Sequence, residues 1–213
     1  MIHAYSDLYV SSAQQILGEA VDFAVLTLEI KPDDFGSAFC VSGVSRQFAA
    51  GNPRYVAGMN GCELARECLD SVCYPYNDQA DAMYIDKSPE YWAGWALAYY
   101  QWFTGLSFME ILNSVPLSEI LQMYPVYHEM DIAQFADEMT RRIKVLHPAT
   151  KLQERRKLSG YSQSELAEAA GISKRQIQLY EERQRDINKA SAITLYKLSK
   201  TMNCDMEDLL EKI

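Results

Sequence analysis

The sequence predicts an all-α protein in which an N-terminal helical domain precedes a smaller helical domain. No stretch shows the sustained alternation of apolar and polar residues that is typical of half-buried strands. Apolar residues instead recur at steps of three and four, for example over 7–29 and 130–145. A chain of 213 residues can hold one large domain or two small ones with buried cores.

The boundary between the domains is placed at His147-Pro148, which gives an N-terminal domain over 1–147 and a C-terminal domain over 148–213. Proline resists the continuation of a helix through it. Thr150 with Gln153 then forms a capping box that begins the next helix. The two domains are therefore expected to be joined by a short linker.

Turn residues divide the N-terminal domain into a series of helices. The first ends at Lys31-Pro32, where the second begins. The segment 48–59 is rich in glycine, asparagine and proline, so we predict a turn-rich loop there, and a further loop over 74–88. The remaining helices are predicted over 62–72, 90–103, 107–113, 116–123 and 130–145.

The most apolar helix of this domain begins at Ser88-Pro89-Glu90, which combines an N-cap serine, a proline at the first helical position and an acid in the first turn. Large rings at helical spacing more often form a core than contact a ligand. We therefore expect this helix to be the centre of the N-terminal core, with an aromatic ligand pocket as the alternative. Its aromatic residues are Tyr91, Trp92, Trp95, Tyr99, Trp102 and Phe103.

Charge is distributed unevenly along the chain. Residues 1–150 carry 8 Lys+Arg against 19 Asp+Glu, a net charge of −11, and residues 151–213 carry 12 against 10, a net charge of +2, which sum to −9. Neutralisation of phosphate supplies most of the affinity of nonspecific nucleic-acid binding. An acidic chain is therefore not built for such binding, and basic residues would have to be concentrated on one surface of the C-terminal domain.

The cysteines indicate neither a disulfide framework nor a zinc site. Their number is odd, and their spacings do not form the CxxC pairs that zinc sites prefer. We expect them to be reduced and mostly buried, and we expect no metal or other cofactor. The five are Cys40, Cys62, Cys68, Cys73 and Cys204.

No segment is predicted to target or anchor the chain in a membrane. The N-terminus lacks the apolar region of a signal peptide. The longest apolar stretch, 91–108, is interrupted by polar residues and glycines, so a membrane span is not expected. The protein is predicted to be soluble and cytoplasmic.

The motifs of the common enzyme classes do not occur in the sequence: there is no phosphate-binding glycine loop, no GxSxG and no HExxH. The nearest candidate is Tyr127-His128-Glu129, where a histidine adjoins an acid. Adjacent residues do not face one another on a helix, so this segment is predicted to be a loop or a cap. The chain is not expected to be an enzyme.

Residues 162–185, SQSELAEAAGISKRQIQLYEERQR, predict two short helices joined by a tight turn. Ser162 with Glu165 forms a capping box at the start of the first helix. Gly171 suits the turn, because a residue without Cβ tolerates the left-handed conformation that a helix end needs.

A second capping box, Ser173 with Gln176, begins the next helix, which is predicted to continue to about 182. Ile177 and Tyr180 face the core at helical spacing. Two helices with this turn form the helix-turn-helix pattern, whose second helix enters the major groove of DNA.

From about Lys151 to Ile213 the sequence resembles the DNA-binding domain of Xre-type, phage-repressor-like helix-turn-helix regulators. The resemblance implies a lambda-repressor-like fold of five helices, over about 151–158, 163–169, 173–182, 189–202 and 206–212. One position departs from the pattern: Arg183 stands where family members usually carry glycine, so the turn after the recognition helix is expected to differ. The matching positions include Leu152, Ser162-Gln163, Leu166-Ala167, Gly171-Ile172-Ser173, Ile177, Tyr180-Glu181, Leu195, Leu198-Ser199 and Leu209-Leu210.

The resemblance also implies how individual residues bind a double-stranded DNA operator. Lys174, Arg175 and Gln178 occupy the positions that meet base edges, and Arg or Lys suits guanine whereas Gln suits adenine. Glu181 is expected to be structural, in an intramolecular pair with a nearby arginine. Contacts to the DNA backbone are implied for Ser162, Gln163, Ser173, Arg183 and Arg185.

A weaker resemblance covers GNPRYVAGMNGCEL, SPEYWAGWALAYYQWFTGLSF and YPVYHEMDIAQFADEM in the N-terminal domain. These segments are similar to the upstream region of regulators found beside small toxin-like genes in gut and clostridial-type bacteria. The resemblance implies an antitoxin-like repressor whose N-terminal domain binds a cognate toxin protein. A dimerisation domain without a further partner is the alternative.

A homodimer is the expected assembly, with DNA half-sites about one helical turn apart. The alternative function is a protein-interaction module that keeps the helix-turn-helix scaffold without binding DNA, which the acidic composition would allow.

Overall fold

A computed structural model describes residues 3–81, 86–146 and 149–211, which form an all-α structure with no strand among them. The chain divides into two compact units, Met1–Ile143 and Lys144–Ile213. The boundary predicted at His147-Pro148 lies outside the described residues. In the part of the chain that is described, no helix combines the length and the apolar character that crossing a bilayer requires.

The first unit contains ten α-helices in its described residues, and the last of them, α10, continues past Ile143. Short irregular turns flank α1, a 3-10 turn at Asp7–Tyr9 before it and a π-helical turn at Phe23–Thr27 after it. The ten helices are α1 Val10–Asp22, α2 Pro32–Val41, α3 Gly43–Ala49, α4 Pro53–Val56, α5 Gly61–Ser71, α6 Pro89–Thr104, α7 Phe108–Ser114, α8 Leu117–Gln122, α9 Tyr124–Tyr127 and α10 Ile132–Leu146.

The core of this unit is built on the close packing of α1 against α6. A Cβ placed on Gly18 would lie 2.9 Å from the backbone oxygen of Tyr91, and one placed on Gly94 would lie 2.9 Å from the carbonyl carbon of Leu17. Side-chain atoms cannot be accommodated at such distances in a packed interior. The two backbones therefore approach one another at positions that carry no side chain.

The predicted central role of α6 is confirmed along one side of the helix. Trp92, Leu97, Tyr100 and other residues of that side are buried. The prediction that its rings serve mainly as core is wrong for the opposite side, where the rings remain half-buried. The half-buried rings are Tyr91, Trp95, Tyr99 and Phe103.

A cluster of phenylalanines fills the space between α2, α3 and α7. The ring centroids of Phe39 and Phe108 are 4.8 Å apart, and those of Phe48 and Phe108 are 5.7 Å apart, both with edge-to-face geometry. The positive edge of one ring meets the negative face of the next, which stabilises such pairs by about 0.5–1.5 kcal/mol beyond the burial of their area.

Helices occupy part of the segment predicted to be a loop. The prediction of a turn-rich loop over 48–59 is wrong for α4, where Asn52 is the N-cap and its side chain accepts a hydrogen bond of 3.1 Å from the backbone N–H of Arg54. Pro53 is at the first helical position, where its missing N–H costs no hydrogen bond. In the predicted loop over 74–88, the described residues 74–81 and 86–88 are non-helical.

The second unit contains α11 Lys151–Leu158, α12 Gln163–Ala170, α13 Lys174–Glu181 and α14 Ala192–Met202. The predicted fourth helix begins later than residue 189, because Ser191 caps α14 and 187–189 form a separate 3-10 turn. The predicted fifth helix is a 3-10 turn over Met206–Leu209. The core side chains of this unit include Leu152, Leu166, Ile177, Tyr180, Ile187, Leu198, Met202 and Leu209.

All five cysteines are free thiols, and their burial varies. Cys62 and Cys68 are buried, but the prediction of burial is wrong for Cys73, which is exposed. Burial raises the pKa of Cys68 to about 12 and that of Cys40 to about 11. These two thiols are therefore protonated near neutral pH and behave as small apolar groups.

Candidate nucleic-acid interface

The turn between α12 and α13 is formed by local contacts that the sequence predicts. At the start of α12, the Glu165 backbone N–H donates to the Ser162 hydroxyl at 3.2 Å, and the Ser162 backbone N–H donates to the Glu165 carboxylate at 2.8 Å. At its end, Gly171 adopts φ 60° and ψ 45°, and the Ile172 N–H donates to the Ala167 carbonyl at 3.0 Å. The predicted capping box and left-handed turn are both confirmed.

We expect Gly171→Val to destabilise the domain by about 1–2 kcal/mol, because a β-branched residue is strained at positive φ. No atom lies within 4 Å of a Cβ built at this position, so backbone strain alone causes the loss. Denaturant unfolding of the full chain measures it. Gly171→Asn is the matched control with a smaller loss, and an unchanged unfolding midpoint for valine would contradict the prediction.

At the start of α13, the structure shows one of the two hydrogen bonds of the predicted capping box. The Gln176 backbone N–H donates to the Ser173 hydroxyl at 3.2 Å. The reciprocal half of the predicted capping box is not among the described contacts, since the Gln176 side chain instead donates to the Tyr180 hydroxyl at 3.3 Å. This bond links the first and last turns of α13, and it holds Tyr180 in the core.

The two faces of α13 differ in burial and in charge. Ile177 and Tyr180 are buried on the inner face. Lys174 and Arg175 are exposed, and Gln178 is half-buried. Within the described residues, neither Lys174 nor Arg175 forms an ion pair, so the helix presents two cations to solvent at its N-terminal end.

A buried ion pair fixes α13 against α11. The Arg156 guanidinium donates two hydrogen bonds to the Glu181 carboxylate, at 2.6 and 3.0 Å, and a third to the Tyr161 carbonyl at 2.8 Å. The two side chains are only 10% and 2% exposed. The expectation that Glu181 is structural is confirmed, and its partner lies 25 positions upstream.

Gln163 takes part in the same cluster. Its side-chain amide donates to the Glu181 carboxylate at 2.9 Å, and the side chain is half-buried. The structure therefore places this residue, predicted to contact the DNA backbone, beside the buried ion pair. One amide hydrogen and the amide oxygen remain for other partners.

The hydroxyls of Ser162 and Ser173 each accept a hydrogen bond from the backbone of the helix that they cap. The Ser173 hydroxyl keeps its own hydrogen as a donor, whereas the Ser162 side chain also hydrogen-bonds the Glu165 carboxylate. At Ser162, the Glu165 carboxylate lies at the same helix N-terminus, and hydrogen bonds from Ser162 hold the pKa of Glu165 below its usual value. A fixed negative charge there opposes the approach of phosphate.

The two arginines after α13 have different surroundings. Arg183 adopts φ 54°, the left-handed conformation that glycine favours, and sequence reasoning did not predict it. Its guanidinium donates to the Ala149 carbonyl at 3.3 Å and lies 3.8 Å from the Glu211 carboxylate. Arg185 is exposed and forms no ion pair with a described residue.

The histidine beside an acid belongs to the first unit. His128 ends α9, and its Nδ1 lies 2.8 Å from the Tyr124 carbonyl oxygen, so the predicted cap is confirmed. Its Nε2 is 3.6 Å from the exposed Glu129 carboxylate. Among the described residues, no group of three potential metal ligands comes together.

Residues 152–209 match the helix-turn-helix family model, which extends from α11 to the last 3-10 turn. The match supports a DNA-binding transcription regulator. No curated protein and no solved structure matches the chain.

Proposed function

We propose that the chain is a sequence-specific transcription repressor that inserts α13 into the major groove of its operator. The observation that carries the proposal is the division of α13 into a buried apolar face and an exposed face with two cations that form no ion pair with a described residue. The helix is held rigidly by the Arg156–Glu181 pair. A rigid helix can present its side chains to base edges at a defined depth.

Base recognition is assigned to Lys174, Arg175 and Gln178. Lys and Arg donate to the O6 and N7 atoms of guanine, and the Gln amide can bond adenine through both of its polar atoms. Lys174 and Arg175 would exchange water for base contacts without first breaking an ion pair, which supports their assignment.

Contacts to the DNA backbone are assigned to Ser162, Gln163, Ser173, Arg183 and Arg185. Arg185 is the strongest member of this set, because it is exposed and follows the recognition helix. Arg183 would have to exchange its contact with the Ala149 carbonyl for a phosphate. Gln163 can reach a phosphate only with the part of its amide that Glu181 does not use.

Arg175→Ala is expected to weaken operator binding by about 1–3 kcal/mol and to relax the preference at one base pair. The loss follows because a bidentate base contact disappears and the base edge is left without a donor. Fluorescence anisotropy with the DNA upstream of the gene, and with single-base variants of it, measures the effect. Lys157→Ala removes an exposed cation on α11 as a control; an equal loss on every sequence would show that Arg175 contacts phosphate only.

The proposed assembly on DNA is a homodimer with half-sites about one helical turn apart. A helix of this length contacts only a few base pairs, so a second copy multiplies both affinity and specificity. Light scattering of the protein with and without operator DNA tests the assembly. A monomer under both conditions would exclude it.

For the N-terminal domain we propose an antitoxin-like role, the binding of a cognate toxin protein. The strongly acidic charge of residues 1–150 supports a partner that is basic. Co-expression with the product of the adjacent gene, followed by purification of a stoichiometric complex, is the test. A domain that serves only in dimerisation would yield no such complex.

Binding of the purified protein to its own upstream DNA at two salt concentrations, with an unrelated duplex as control, tests the whole proposal. Selective binding that weakens as salt increases is expected, because Arg183 and Arg185, which are assigned to the DNA backbone, displace counterions from phosphate. Absence of selectivity at both salt concentrations would favour the alternative, a protein-interaction module on a helix-turn-helix scaffold.

A further inference from the structure

The first unit contains an open cleft of about 480 Å³ that the DNA-binding proposal does not use. One wall is a face of α6 with Tyr91 and Trp95, and the opposite wall is α9 with Tyr124 and Tyr127. Asp131, directly before α10, also lines the cleft. This volume lies within the range of small-molecule sites, and we call it the aromatic cleft.

The rings of the aromatic cleft are held in place from behind. Trp92 contacts Tyr124 and Phe135 with edge-to-face geometry, at centroid distances of 5.7 and 5.4 Å. Tyr124 also stacks on His128 at 4.3 Å. The walls are therefore supported by the core, and a ligand would find them already formed.

Trp95 differs from these rings. It is half-buried, and its indole makes neither a ring contact nor a hydrogen bond with the residues that the structure describes. Trp95 lines the cleft, so its indole can contact a ligand there. A Trp side chain offers a ligand a large apolar contact area together with an N–H donor.

The charge around the aromatic cleft is negative. Asp131 lines it, and besides burial its charge raises the pKa of the neighbouring Tyr99. Burial, followed by the charges of Glu19 and Asp22, raises the pKa of Tyr91 in the same way. The surrounding domain has a net charge of −11 over residues 1–150. The electrostatic field of these negative charges favours the binding of a cation and repels an anion.

Lys87 shows that the cleft attracts positive charge. Its ammonium lies 4.0 Å from the centroid of the Tyr91 ring, a cation–π contact. The side chain is exposed and forms no ion pair with any described residue, although its charge also acts on the Asp22 carboxyl. It is the only Lys or Arg among the described residues that line the cleft.

We infer that the aromatic cleft binds an organic cation with an apolar or aromatic body, such as a quaternary ammonium compound. The ammonium group lies against the ring faces near Asp131, and the apolar body packs on Trp95. The ligand replaces the Lys87 ammonium on Tyr91. Binding is a property of the first unit alone, so it does not depend on the DNA-binding proposal.

The test compares three probes of similar size on the full-length protein: benzyltrimethylammonium, benzyl alcohol and phenylacetate. Ligand-observed NMR titration gives a dissociation constant for each. Benzyltrimethylammonium is expected to bind about 3- to 30-fold more tightly than the neutral probe, which is the range of a cation–π contact in a partly desolvated site.

Two charge variants separate a cation site from an anion site. Lys87→Gln removes the competing ammonium and is expected to tighten benzyltrimethylammonium binding roughly 2- to 5-fold, whereas Asp131→Asn is expected to weaken it by a similar factor. Asparagine keeps the side-chain oxygen that accepts from the Ala133 N–H at the start of α10, so the fold is preserved. Asp137→Asn, an exposed change on the same helix outside the cleft, is the matched control.

The inference is supported if benzyltrimethylammonium binds more tightly to Lys87→Gln, more weakly to Asp131→Asn and without change to Asp137→Asn. Preference for phenylacetate, with loss of that binding in Lys87→Gln, would overturn it in favour of an anion site. Equal binding of all three probes, or binding of none, would also overturn it. Circular dichroism of each variant confirms that the helices are intact.

Discussion

Replacing Glu181 with alanine is expected to destabilise the helix-turn-helix domain by about 3–5 kcal/mol, the usual cost of removing one partner of a buried ion pair. Hydrogen bonding to Glu181 raises the pKa of Arg156, so the guanidinium remains charged in the folded protein. After the substitution, that charge would stay buried without a counter-charge, and the Gln163 amide would lose its acceptor.

Denaturant unfolding of the full chain, followed by circular dichroism, measures this loss. Glu182→Ala removes the adjacent but exposed carboxylate and is expected to change stability by less than about 0.5 kcal/mol. The double variant Arg156→Met/Glu181→Leu should recover most of the loss, because an apolar pair of similar volume needs no counter-charge. Equal stability of Glu181→Ala and Glu182→Ala would show that the Arg156–Glu181 pair contributes little to the stability of the domain.

Gly94→Ala is expected to destabilise the first unit by about 1–3 kcal/mol or more, as overpacking of a core does. The added Cβ would overlap the carbonyl oxygen of Leu17 and lie 2.9 Å from Cγ2 of Val21. A backbone carbonyl in the middle of α1 cannot move aside as the end of a flexible side chain can. The helices must therefore separate, and the contacts between α1 and α6 weaken.

Gly43→Ala is the matched control for this prediction. Gly43 is also helical, at the start of α3, but no atom lies within 4 Å of a Cβ built there. The same chemical change is expected to be neutral or to stabilise by about 0.4–1 kcal/mol, since alanine restricts the unfolded chain. Similar unfolding midpoints for both variants would contradict the packing argument.

The parts of the fold that depend on neighbours in sequence could be predicted. The bounds of α11 agree with the prediction, and α12 differs by a single residue, because capping residues and a turn glycine mark both helices. The same local logic predicts the exposed positions of Lys174 and Arg175. Their contacts with bases stay a prediction.

The parts that depend on tertiary contacts could not be predicted in the same way. The partner of Glu181 is on another helix, and the spacing of apolar residues along the sequence does not indicate which arginine lies near Glu181 in the fold. Arg183 has a positive φ although its residue type disfavours it, so tertiary contacts override the local preference. The aromatic cleft brings together two separate segments, 87–95 and 124–132, and only packing decides which rings of α6 are left half-buried.

The close glycine contacts of the first unit also limit how this domain can vary in evolution. At Gly61, a Cβ would lie 2.5 Å from the backbone nitrogen of Ala20, and at Gly18 and Gly94 it would lie within 2.9 Å of backbone atoms. Natural selection can replace a core leucine by another apolar residue, but no residue substitutes for the absence of a side chain. Diverged relatives are therefore expected to keep these three glycines after most other identities are lost, which makes them a signature for recognising the domain.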